Sequence, residues 1–187
     1  MKQIMKQIRK NVFETNSSSV HSLSIEGKDN YDYTQLDDYI EEDYGHNGYG
    51  KYLKLNFESF GWYWDSELDE NSAIAKLEYI LTAITCFQGY NINWSSREDK
   101  EETIKEVMES DDFQKFEDDV KYALSKHDIH IAGIKISPDE DGYVDHQSLD
   151  YYISPDGMYY IFARDGITLE DYIFNKCYSL FIDNDNH

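Results

Sequence analysis

Between Lys51 and Glu58 apolar and polar residues alternate, with Leu53, Leu55 and Phe57 at every second position. A period of two predicts a half-buried strand, ended by the Gly61 turn. Farther on the period changes: Ile74, Leu77, Leu81, Ile84 and Phe87 recur at three- and four-residue steps behind Ser72. That spacing predicts an amphipathic helix to about Gln88 with a serine N-cap. The helical period continues in two stretches between Ser96 and Lys126. Ile104, Val107 and Met108 mark the first; Phe113, Phe116, Val120, Ala123 and Leu124 mark the second, with Ser110-Asp111-Asp112 as the cap between them.

Strand-like segments bracket this helical block. Ile8 to Glu14 and Val20 to Ile25 flank the turn-forming Thr15-Asn16-Ser17-Ser18-Ser19 and predict a hairpin or strand-loop-strand. Ile129 to Ile136, Tyr143 to Tyr152 and Met158 to Phe162 predict a meander turned by Pro138-Asp139-Glu140-Asp141-Gly142. Thr168 caps a short helix through Asn175 before a last strand, Tyr178 to Ile182. Residues 29 to 50, dense in Asp, Tyr and Gly, predict a short helix from Thr34 to Asp43 and then a loop from Gly45 to Gly50. Strands around a central helical block predict an α+β fold, mostly antiparallel, with two to three helices packed on one face. The expected organisation is one domain over 1–187, in which about 65–127 forms an acidic helical insertion.

Charge changes the picture. Thirty-eight acidic residues face seventeen Lys and Arg, a net charge of −21, and four of those cations (Lys2, Lys6, Arg9, Lys10) lie in the first ten positions. Such a body repels nucleic acid and anionic membrane and attracts a basic surface. The 17 Tyr, 9 Phe and 3 Trp separate it from acidic disordered chains, which are poor in aromatics. Carboxylates interleaved with flat rings imitate phosphates and bases, so nucleic-acid mimicry is one reading of the composition. No apolar run approaches the ~18 residues of a membrane span, and the basic start lacks a signal peptide's apolar stretch; the expected location is cytoplasmic. Cys86 and Cys177 have apolar neighbours and no zinc spacing, and are expected to be reduced, packed thiols.

Two kinds of site compete. Ser17, Ser18, Ser19 and His21 gather hydroxyls and an imidazole, and with Asp145 and His146 they could form a catalytic set in which one histidine is base and the other acid, with Asn16 beside them as a partner contact. The plainer alternative is a capped turn. The other kind is a partner surface. Asp37, Asp38, Glu41, Glu42 and Asp43 with Tyr39 and Tyr44 form one acidic cluster, and Asp111, Asp112, Glu117, Asp118 and Asp119 a second. Asp139-Glu140-Asp141-Gly142 fails calcium-loop spacing, and His127 and His130 do not share a helical face. No metal or cofactor is expected.

The segment Arg9 to Ser19 with His21-Ser22, the later Gly142 to Ser148, and Asp171 to Asn175 resemble type II-A anti-CRISPR proteins from mobile elements of Gram-positive bacteria. The resemblance covers both ends and leaves 29 to 128 unmatched. It implies Cas9 as partner, whose guide and target strands lie in channels lined by Lys and Arg, and interference with guide RNA loading, guide RNA integrity or target DNA engagement. Two alternatives stand beside this expectation: a ribonuclease-like protein that shortens guide RNA through the Ser-rich motif, and an acidic interaction module with no nuclease target.

Overall fold

The computed structural model describes residues 8–10, 20–25, 28–60, 67–90, 96–144 and 168–183. In chain order these form β1 (Ile8–Lys10), β2 (Val20–Ile25), a single 3-10 turn (Asp37–Tyr39), β3 (Ile40–Gly45), β4 (Gly48–Leu55), β5 (Ser59–Phe60) and β6 (Glu67–Glu70). Then follow α1 (Ala73–Phe87), α2 (Arg97–Glu109), α3 (Asp111–Ser125), β7 (Gly133–Ile136), β8 (Tyr143–Val144), α4 (Leu169–Phe174) and β9 (Tyr178–Asp183). The fold is α+β. Strands run β1-β2-β9-β6, β3-β4-β7 and β5-β8, and most pairings are antiparallel.

Helix starts lie where the sequence places them. Ser72 accepts the Ala75 N–H, Ser110 accepts the Phe113 N–H, and Ser96 and Thr168 each build a reciprocal capping box, with Asp99 and Asp171. Each cap satisfies a donor that the first helical turn leaves open, worth about 1 kcal/mol.

The segment from Thr34 to Asp43 is not a helix. Asp32 accepts both the backbone N–H and the hydroxyl of Thr34, so Thr34 closes a local turn instead of capping. Ile40–Gly45 then pairs with β4, Tyr44 opposite Tyr49 and Gly45 opposite Gly48. The expected Gly45-to-Gly50 loop shrinks to His46-Asn47, because Gly48 at φ 92 closes the hairpin in a conformation that L side chains avoid. A methyl group at Gly45 would run into the Tyr52 ring.

The expected meander also differs. The strand signal from Ile129 is realised only as β7, and β7 runs parallel to β4, Leu53 beside Ile134 and Leu55 beside Ile136. Between these strands the chain makes three helices, and a helical crossover returns a strand in the direction it left. β8 does not fold back on β7 but pairs parallel with β5. The Pro138-to-Gly142 turn is held elsewhere: Arg97 pairs with Asp139, Lys100 pairs with Asp141, and Lys100 Nζ donates to the Glu140 carbonyl at 3.2 Å. The rest of the Tyr143-to-Tyr152 segment and the Met158-to-Phe162 strand lie outside the described residues.

Leu36, Leu53, Leu55 and Phe57 pack in one hydrophobic cluster with Leu77, Leu81 and Ile84 of α1, Phe113, Phe116 and Val120 of α3, Ile134 of β7 and Phe174 of α4. Helix α1 is not the half-exposed helix its stripe predicts; every residue from Lys76 to Thr85 is buried. Its polar side chains are bonded inside. Lys76 Nζ donates to the Tyr172 carbonyl at 2.7 Å, Thr85 to the Leu81 carbonyl at 3.0 Å, and Thr82 accepts the Glu58 N–H at 3.2 Å. Cys86 packs against this core and Cys177 is buried. No helix among the described residues is long and apolar enough to cross a membrane.

Candidate partner-binding surface

On β3 alternate side chains take opposite faces, and this divides the first acidic cluster. Glu41 and Asp43 share one face, where Lys54 pairs with Glu41 at 2.8 Å and Lys135 pairs with Asp43. The Lys135 ammonium and the Tyr44 N–H, which donates to Asp43 Oδ1 at 2.7 Å, hold the Asp43 carboxyl below its usual range. These two acids are each paired with a lysine of the chain. Asp37, Asp38, Tyr39, Glu42 and Tyr44 are exposed.

β3 is an edge strand, and its edge is blocked. Tyr44 gives its N–H to Asp43 and Ile40 gives its own to the Asp37 carbonyl, so two of the outward donors that would seed strand addition are occupied from within the chain.

The second cluster is more thoroughly used by the fold. Glu117 is only 2% exposed, which removes it from any partner surface. Its Oε2 accepts the Ile134 N–H of β7 at 2.8 Å and lies 3.1 Å from His46 Nε2, closing the outer edge of the three-stranded sheet against α3. Asp118 pairs with Lys121 at 3.3 Å, Asp119 with Lys115 at 2.7 Å, and Asp112 accepts from Gln88 at 3.3 Å. Asp111 stays exposed at the start of α3.

Among the described residues a row of exposed acids outside any ion pair lies on α2, which the sequence reading did not single out. Glu98, Glu102, Glu106 and Glu109 are all exposed. Steps of four, four and three residues put them on one stripe about 16 Å long. Among the described residues none of the four makes an ion pair: Arg97 is drawn to Glu101 and Asp139 and the buried Lys100 to Asp141, while Lys105 pairs with none of them. Lys105 is the exposed cation beside the stripe. Reading charge runs misses this arrangement; counting acids at helical spacing would have found it.

A different carboxylate is sealed inside. Glu78 of α1 is 6% exposed, accepts the Asn56 backbone N–H at 2.9 Å, and is pushed up to about 7 by burial, with the Glu58 charge adding to the rise. Glu58 itself is raised by burial and by Glu140. His127, at the end of α3, stacks on Tyr33 with centroids 3.7 Å apart and bonds Glu170 at 2.7 Å, while His130 is exposed. Among the described residues no group of His, Cys, Asp and Glu could hold a metal ion.

Of the catalytic set, Ser17, Ser18, Ser19, Asp145 and His146 lie outside the described residues, as does the partner-contact candidate Asn16. His21 is opposite Ile182 in the β2–β9 pairing. Val144, immediately before Asp145, belongs to the β5-β8 sheet. Comparison of the chain with protein-family models, curated proteins and solved structures finds no match.

Proposed function

We propose that this protein binds a cationic groove on a nucleic-acid-binding protein and keeps nucleic acid out of it. The observation that carries this reading is the α2 stripe. Four carboxylates in three intervals over about 16 Å stand about 5.5 Å apart, roughly 60% of the linear charge of one duplex strand at ~3.4 Å of axis per phosphate. A groove that holds a backbone by spaced Lys and Arg meets charge of the same sign on a rigid helix. The net charge of −21 steers the approach and raises the association rate.

The resemblance of the chain ends to type II-A anti-CRISPR proteins makes Cas9 the partner to test, with guide RNA loading or target DNA engagement as the step blocked. Occupancy of the channel needs no bond-breaking chemistry, so the guide RNA stays at full length. The test is Cas9 cleavage of target DNA in the presence of wild-type protein and of a variant carrying Glu98→Gln, Glu102→Gln, Glu106→Gln and Glu109→Gln. Glutamine keeps the helix propensity and removes the charge. The expected result is inhibition that weakens at least tenfold in the variant and declines as salt rises, with uncut guide on a denaturing gel. Inhibition by the variant equal to wild type, or independent of salt, overturns the reading; a shortened guide points to the ribonuclease alternative.

A further inference from the structure

Two of the most exposed large side chains in the described residues stand together on the β3–β4 hairpin: Tyr44 is 75% and Tyr49 62% exposed. The register sets them opposite each other, with ring centroids 5.1 Å apart and planes at 60°. Glu42 lies on the same face, two residues back along β3, and accepts the Tyr49 hydroxyl on Oε2 at 3.1 Å. Tyr49 meets Tyr44 at a tilt and engages one Glu42 oxygen, so on this face an exposed ring and a second carboxylate oxygen stand two residues apart along β3.

This tip is held rigidly. Tyr52 donates its hydroxyl to the Gly48 carbonyl at 2.7 Å, Asn47 Nδ2 donates to the Ala132 carbonyl at 2.9 Å, and His46 meets the buried Glu117. The ring pair is therefore set before any partner arrives, and little ordering cost remains for binding. The occupied outward N–H groups of Ile40 and Tyr44 disfavour an added strand, so a partner has to be read through its side chains.

The molecule shows elsewhere what such a ring accepts. Lys126 Nζ lies 4.7 Å from the centroid of the exposed Tyr122 ring, and Lys76 Nζ lies 5.4 Å from that of Tyr172. Among the described residues no cation covers Tyr44 or Tyr49. Lys51, opposite Glu42 in the register, makes no ion pair among the described residues.

We propose that Tyr44, Tyr49 and Glu42 form a site that reads an arginine side chain of a basic partner protein, the guanidinium stacking on Tyr44 while its N–H groups pair with Glu42. Arginine is favoured over lysine because its planar, weakly hydrated head stacks on a ring and pairs with a carboxylate at the same time. The site rests on the reading above only in taking the partner to be a basic protein.

The test titrates the intact protein, at low salt, with a Gly-Arg repeat octapeptide and its Gly-Lys counterpart, following tyrosine resonances by NMR. The arginine peptide should bind at least threefold more tightly. Tyr44→Ala should abolish that preference and weaken arginine-peptide binding about fivefold, and Glu42→Gln should weaken it as well. The four-glutamine α2 variant should weaken both peptides alike and keep the preference. Equal binding of the two peptides by wild type, or a preference that survives Tyr44→Ala, overturns the site whatever happens with Cas9. A Tyr44-dependent preference alongside uninhibited Cas9 would support the site while removing the functional reading above.

Discussion

Glu78 is the residue through which pH reaches the core. Burial takes the carboxylate out of water, and the proton that neutralises it is held to about 7 instead of the ordinary 4.5. A carboxyl whose pKa is raised by folding leaves stability highest below the unfolded value. Stability then falls as pH rises from about 4.5 to about 7 and levels above that. The full difference is on the order of 3 kcal/mol. Glu78→Gln keeps an acceptor for the Asn56 N–H and removes the titration. The variant should gain stability over wild type at pH 8 and lose that advantage by pH 4, measured by urea denaturation at both; parallel pH curves for the two proteins would refute this account. Neither the burial nor the raised pKa is legible in the string Leu77-Glu78-Tyr79, since the stripe pattern puts Glu78 on an open helix face. It is buried because β8 and the Asn56–Glu58 segment cover that face of α1.

Among the elements, caps and spacing were readable because their causes are local. A serine bonding an N–H three residues on needs nothing from the rest of the chain, and Ser72, Ser96, Ser110 and Thr168 all do so. Of the strand partners the neighbouring β1–β2 pair was readable; those joining distant segments were not, because such a ladder is a choice among many. β7 lies parallel to β4 owing to the length of helix between them, and its outer edge is closed by a side chain from α3. Replacing Glu117 with Ala leaves the buried Ile134 N–H without its acceptor, which should cost about 2 kcal/mol. The neighbouring Asp118→Ala, at an exposed ion pair, should stay within about 0.5 kcal/mol. Chemical denaturation of both checks the contrast, and equal losses would mean that Glu117 does not close the sheet edge.

Over the whole molecule the acidic excess acts on stability. A net charge of −21 repels itself in the compact state, and the repulsion is screened over about 8 Å at physiological salt against about 30 Å at 0.01 M. The melting temperature should therefore rise between 0.01 M and 0.15 M sodium chloride; a fall would show that the ion pairs of Lys54, Lys115, Lys121 and Lys176 outweigh the general repulsion. Lys176, for example, with Thr34, holds Asp32 at about 2, so part of the charge is organised rather than diffuse.

By itself the sequence determined the α+β class, the helical block with its serine and threonine caps, and the sign of the net charge. Periodicity, capping and net charge are properties of neighbouring residues or of a simple sum, and they survive any arrangement of the elements. Only the tertiary structure decided which carboxylates remain open. Whether a glutamate ends as a sheet-edge cap like Glu117, a neutralised surface acid like Glu41, or one rung of the α2 stripe like Glu102 depends on which distant lysine or backbone N–H folding brings within about 3 Å, the reach of a hydrogen bond.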